Sequence, residues 1–170
     1  RRVALTSDAL RPSCSLQSGG GLALSGSALA QSRTLGATCD AVLDFGDGLH
    51  TAQDGSILVD GTLSITSGSL VQDGTLSGRQ GLTADSNSLS SAQGAQTSSL
   101  GDVTLKVRDN ADISGDVNAG GTLALNSGSL RTGSGAQLQG QDLSLTAGSA
   151  ELNGTQAAQK KLDVTAQDLV

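Results

Sequence analysis

The chain has 170 residues, a net charge of −6 from 10 basic and 16 acidic side chains, and a single aromatic residue, Phe45, with no Met, Trp or Tyr. The acidic balance argues against nucleic acid or an anionic membrane as partner, since both need a basic footprint, and no run is long and apolar enough to span a bilayer. A globular core of this size leans on aromatics for buried area, so here Leu, Val, Ile and Ala must fill a narrow interior.

Two aliphatic residues flanking one small or polar residue recur along the whole chain. The copies are Val3-Ala4-Leu5, Leu22-Ala23-Leu24, Leu43-Asp44-Phe45, Leu63-Ser64-Ile65, Leu82-Thr83-Ala84, Val103-Thr104-Leu105, Leu123-Ala124-Leu125, Leu143-Ser144-Leu145 and Leu162-Asp163-Val164. A fixed period near twenty marks a solenoid, in which each repeat is one unit stacked on the last. In-out alternation along a strand sends the flanking aliphatics inward and the middle residue outward. The middle residues are small or polar, as a solvated face requires.

A turn is expected after each pair, at Gly26, Gly68, Asn87, Gly128 and Gly148, because Gly and Asn tolerate positive φ. A second inward anchor follows at Leu10, Leu29, Leu49, Leu70, Leu89, Leu130, Leu152 and Leu169. A third precedes the next pair at Leu16, Leu35, Leu58, Leu76, Val117 and Leu138. Three inward anchors separated by corners close a triangular coil. The sequence therefore predicts an all-β chain: a parallel β-helix of about nine coils over residues 1–170, right-handed because that is the common hand. Helix is disfavoured by breakers such as Ser67-Gly68-Ser69. The single proline, Pro12, lies before the later ladders, which keep all their N–H donors.

Residues 86–100 depart most from the rhythm and lack a good third anchor. Either a polar loop leaves the tube there or the core is thin. Residues 40–60 depart differently, with Asp40, Asp44, Asp47, Asp54 and Asp60 beside His50 and Phe45.

Cys14 and Cys39 are the only cysteines, and neither belongs to a CxxC or Cys/His ligand set, which argues against zinc. In an exported protein a disulfide between them is the default. They are offset by about five residues along the coil, so a bridge would need a local bulge. Two free thiols are the alternative. Asp44-Phe45-Gly46-Asp47-Gly48 lacks the alternating oxygen ligands of a calcium loop, and the reading is a solvated turn, with a weak cation site as its rival. Asp44, Asp47 and His50 form the one candidate binding surface. No catalytic, cofactor or metal residues are assigned. A polysaccharide-degrading β-helix would need clustered carboxylates and an aromatic platform for sugar rings. The acidic stretch supplies carboxylates in one coil only, so the chain is not expected to be an enzyme.

The phrases Gly20-Gly21-Leu22-Ala23-Leu24-Ser25-Gly26-Ser27, Asp60-Gly61-Thr62-Leu63-Ser64-Ile65-Thr66-Ser67-Gly68-Ser69-Leu70 and Gly120-Gly121-Thr122-Leu123-Ala124-Leu125-Asn126-Ser127-Gly128-Ser129-Leu130 resemble the filamentous haemagglutinin repeat. The resemblance implies a right-handed β-helical shaft inside a much longer bacterial exoprotein. Such proteins leave the periplasm through an outer-membrane β-barrel partner, the two-partner secretion route. They act as adhesins, or as carriers of contact-dependent growth-inhibition toxins. The chain opens Arg1-Arg2 with no apolar core behind it, so no signal peptide is visible. The expectation is an internal segment of a secreted or cell-surface protein. Its role is that of a structural rod, with a receptor- or glycan-binding module as the alternative. The Asn of the family's Leu-x-Asn corner is largely missing, and no secretion domain or toxin is recognisable.

Overall fold

A computed structural model describes all residues, 1–170. The chain is all-β, with no helix, and its 17 strands form one continuous hydrogen-bonded sheet in which every pairing is parallel. The sheet is wound into a solenoid of stacked coils. We number the coils by the residue that opens the first face: Val3, Leu22, Ala41, Leu63, Leu82, Val103, Leu123, Leu143 and Leu162, for coils 1 to 9, which stack directly on one another. A long strand such as Thr62–Gln72 carries the first face, bends, and continues as the second. A short strand such as Thr75–Gly78 makes the third.

The alternating pattern dictates this arrangement. In Thr62–Gln72, the residues at Leu63, Ile65 and Leu70 are buried, while Ser64 and Thr66 face out. Equivalent residues of successive coils stack about 4.8 Å apart, so the inward rows merge into one cluster of 33 buried apolar residues running the length of the tube. Each fully buried Leu contributes roughly 1.5–3 kcal/mol relative to exposure. Only repetition of the register keeps all of them inside.

The register corrects several sequence assignments. In coil 3 the residues above Leu22 and Leu24 are Ala41 and Leu43, so Ala41-Val42-Leu43 replaces Leu43-Asp44-Phe45 as the first-face pair. Phe45 stacks above Gly26 and is fully buried; the glycine itself is needed by the coil below, since a methyl group there would collide with the carbonyl of Ser7. The register then shifts between Phe45 and Gly48, a bulge that absorbs one extra residue. On the third face Ile57, not Leu58, stacks between Leu35 and Leu76, and Leu58 is 45% exposed. On the second face Ala150, not Leu152, sits above Leu130. Ala111 fills the same row in coil 6.

Residues 86–100 neither loop out nor leave a void. Thr97 occupies the third-anchor row between Leu76 and Val117. Its hydroxyl donates to Gln72 Oε1 at 2.8 Å, and Gln72 Nε2 donates to the carbonyls of Gln96 at 2.7 Å and Gly74 at 3.3 Å. The core is locally polar; the network pairs Thr97 with Gln72, while the buried Ser91 hydroxyl beside it has no partner. The expected positive-φ turns at Gly26, Gly68, Asn87, Gly128 and Gly148 are also absent, since only Gly94 has positive φ (87°). At Gly68, Gly128 and Gly148 the need is space. A methyl group on Gly128 would lie 2.7 Å from the carbonyl oxygens of Arg108 and Asp109, and one on Gly148 would lie 2.7 Å from that of Gly128.

Candidate functional site

The two cysteines are free and exposed. Cys14 lies just before the strand Leu16–Ser18. The Cys39 N–H donates to the carbonyl of Gly20 at 3.3 Å, so Cys39 stacks on the residue six positions past Cys14. The third face lies between them, a span of up to roughly 20 Å at the rise of extended chain. A disulfide needs Cα atoms within about 7 Å. The bridge expected from composition is therefore not formed, and no bulge brings the two residues together.

The acidic stretch, residues 40–60, separates into different roles. Asp40 is structural: its Oδ1 accepts the Thr62 N–H of the next coil at 2.8 Å. Asp102 repeats the device on Thr122, also at 2.8 Å. Asp44 is exposed on the first face, between Ser25 and Thr66 in the stack. Asp47 lies in the bulge, where its backbone carbonyl accepts from Ser69 Oγ at 3.4 Å. His50 lies on the second face, between Ala30 and Val71. Its Nε2 sits 2.8 Å from Asp73 Oδ2, with the two side chains 49% and 36% exposed. An exposed pair of this kind contributes at most about 1 kcal/mol.

Two of the three candidate residues share one feature of the surface. Asp47 and His50 border an open depression of about 330 Å³ on the second face, floored by Ala28 and Leu29 and closed on the far side by Arg11. A second depression of about 320 Å³ adjoins it, and Arg11, Ala30 and His50 belong to both. The notch has a simple cause. Coil 2 presents Ala28 and Ala30 outward, while the coils on either side present Arg11 and His50, so the short side chains leave a gap between longer ones. Asp44, around the bend, does not reach it. Sequence reasoning missed Arg11 and Asp73. Arg11 is two coils below His50, and Asp73 is 23 residues after it, so only the stacking register brings them together.

The chemistry available in the notch is that of a weak, mixed-charge surface. Arg11 and His50 donate, Asp47 accepts, and the alanine floor offers a small apolar contact. No three His, Cys, Asp or Glu side chains of the chain converge as a metal-binding group. The remaining ion pairs, Arg131–Glu151 at 3.9 Å and Lys161–Asp163 at 3.2 Å, are exposed and lie elsewhere on the tube. No helix is long and apolar enough to cross a membrane. Comparison of the chain with protein-family models, with curated proteins and with solved structures finds no match.

Proposed function

We propose that this chain is a non-enzymatic rod segment of a large exported bacterial protein, an adhesin or a contact-dependent toxin-delivery protein of the filamentous haemagglutinin type. The observation that carries the reading is the continuity of the stack. The first-face register runs without a missing level from Val3 to Leu162, and the interior is filled with side chains throughout. Nine levels at about 4.8 Å give a rod on the order of 40 Å, and further repeats would extend it without changing its section. Each coil contacts only its neighbours, so it can fold on the one before as the chain emerges. That property suits passage through an outer-membrane β-barrel of the two-partner route and a final place at the cell surface or outside the cell.

The notch supports a second reading, a receptor- or glycan-binding module. Its open shape and exposed charges favour a low-affinity contact. The two readings separate in one experiment: binding of the purified segment to target cells, measured beside Arg11→Ala and His50→Ala. The rod reading expects little binding by any of the three. Saturable binding that both substitutions abolish would replace it with the binding module.

A further inference from the structure

The coils are not all alike at the corner between the second and third faces. Coils 3, 5 and 7 make a projecting turn there, at residues 52–55, 92–95 and 133–136, closed by Gly55 N–H to Ala52 O (2.8 Å), Ala95 N–H to Ala92 O (3.1 Å) and Ala136 N–H to Gly133 O (3.0 Å). Coils 2, 4, 6 and 8 take the corner without it. The register records the alternation. Across this corner the offset between stacked residues goes from 20 to 22 between coils 2 and 3, and from 21 to 19 between coils 3 and 4. It then goes from 19 to 21, 22 to 20, 19 to 21 and 20 to 18 over the next four steps. Each of these steps gains or loses two residues, whereas coils 1 and 2 are both short, with an offset of 19 on either side of the corner.

Long and short coils interlock on this corner. In each short coil above a long one the corner ends in glycine: Gly74, Gly115 and Gly154. A methyl group at Gly74 would collide with the carbonyls of both Ala52 and Gly55, and one at Gly115 with those of Ala92 and Ala95. At Gly154 it would meet Gly133 O at 2.8 Å and Ala136 O closer still. The next residue hangs from the last carbonyl of the turn below: Thr75 N–H to Gly55 O at 3.1 Å, Asp116 N–H to Ala95 O at 2.9 Å, Thr155 N–H to Ala136 O at 2.8 Å. The turns of coils 5 and 7 end instead in Ala95 and Ala136, which sit over short coils. The interior follows the same alternation. The inward row at this corner reads Gln31, Thr51, Gln72, Ser91, Ile113, Thr132, Leu152. Large side chains belong to the short coils and small hydroxyl residues to the long ones.

We propose that a long coil stacks only on a short one, so that from coil 2 onward the module of this solenoid is a short–long pair of about 41 residues and a short corner between two long ones cannot be removed alone. Gln31, Gln72 and Ile113 mark the spacing, each 41 residues from the last. Removing a short corner alone would place long turn on long turn and set an alanine into a seat that accepts only glycine, whereas short on short is the arrangement coils 1 and 2 already adopt. Solenoid stability is ordinarily a sum over repeats and their interfaces, which makes removal of two coils costlier than removal of one. The interlock predicts the reverse order.

The test is a pair of internal deletions in the full chain, followed by thermal unfolding and circular dichroism. Deleting residues 73–113 joins Gln72 to Ser114 and keeps a short corner above the turn of coil 3. It should give a β-rich spectrum, one cooperative transition and a Tm close to that of the parent. Deleting residues 73–91 joins Gln72 to Ala92 and seats Ala95 over Gly55. Its Tm should fall by about 10 °C or more relative to the larger deletion, and Ala95→Gly within it should recover part of that loss. In the intact chain Gly115→Ala should lower Tm, while Gly135→Ala, whose nearest neighbour at 3.8 Å is the Gln93 side chain, should not. A one-coil deletion as stable as the two-coil deletion would overturn the proposal. So would an unfolded two-coil deletion, an Ala95→Gly change without effect in the shorter variant, or a silent Gly115→Ala.

Discussion

Thr97→Val is a substitution on which pattern and polar accounting disagree. The row it occupies holds Leu35, Ile57, Leu76, Val117 and Leu138, so the pattern alone says that Val should fit better than Thr. Exchanging the hydroxyl for a methyl adds about 0.8 kcal/mol of apolar burial. Against this, Thr97 is 3% exposed and Gln72 2% exposed, and the Thr97 hydroxyl is the only side-chain donor to Gln72 Oε1. Removing it strands a buried amide oxygen at a cost of about 1–3 kcal/mol. The stranded oxygen wins, and Thr97→Val should destabilise by about 0.2–2 kcal/mol, a fall in Tm of up to roughly 8 °C for a chain of this length. The sign should change once the partner is gone. In a Gln72→Leu background no amide oxygen remains to be stranded, so Thr97→Val should be neutral or mildly stabilising there. Gln72→Leu by itself should destabilise, because the carbonyls of Gln96 and Gly74 lose a donor. Urea or thermal unfolding of the four proteins completes the double-mutant cycle. Thr97→Val stabilising the parent, or costing the same in both backgrounds, would refute the reasoning.

Leu123→Asp should abolish folding or cost more than about 4 kcal/mol, because it sets an unpaired charge in a fully buried row; Thr104→Ser, facing outward, should shift Tm by less than a degree or two on the same melting curves. Asp102→Ala should cost about 0.5–1.5 kcal/mol by removing the acceptor for the Thr122 N–H, and proton exchange at that one amide should accelerate while its neighbours stay protected. Cys14 and Cys39 should both alkylate in the native protein, non-reduced peptide mapping should find no link between them within one chain, and a reductant should leave Tm unchanged. A Cys14–Cys39 peptide isolated from monomeric protein would contradict the register of the first two coils.

Sequence conveyed the coil but not its phasing. The aliphatic pairs at Leu22, Leu63, Leu82, Val103, Leu123 and Leu143 all point inward as their alternation requires, because a period of two and a period near twenty coincide there. The assignment slipped by two residues in coil 3, where Leu43 and Phe45 look like a better pair than Ala41 and Leu43. Both pairs face inward, and only the register against Leu22 and Leu24 of the coil below distinguishes them. Leu58 and Leu152 were misplaced for a related reason. Each sits two residues or fewer from the true anchor, at a corner whose length varies. The corner length itself is the part that a single average period conceals, since gains and losses of two residues cancel over a pair of coils. Its signal was nonetheless present in Gln31, Gln72 and Ile113 against Thr51, Ser91 and Thr132, spaced near 41 rather than 20.

The candidate site was less legible because it is a property of stacking and not of any segment. Asp44, Asp47 and His50 stood out through composition, yet the bend between the first two faces and the bulge after Phe45 send Asp44 to a different side of the tube from His50. What makes the notch is the contrast between Arg11, Ala30 and His50, three residues in three coils with no local resemblance. The same contrast limits what the notch can do. Its charges are exposed, and water competes for every hydrogen bond that a ligand could make there. A strong site on this scaffold would need a deeper step between coils, and a deeper step requires a loop inserted at a corner. The long turns are the only places where this chain already makes one. Their tips are Gln53-Asp54, Gln93-Gly94 and Ser134-Gly135, which are small or polar residues well suited to solvent and without an apolar anchor to hold a partner. The long turns thus add to the tube's outline without adding a surface on which a partner could bury apolar area.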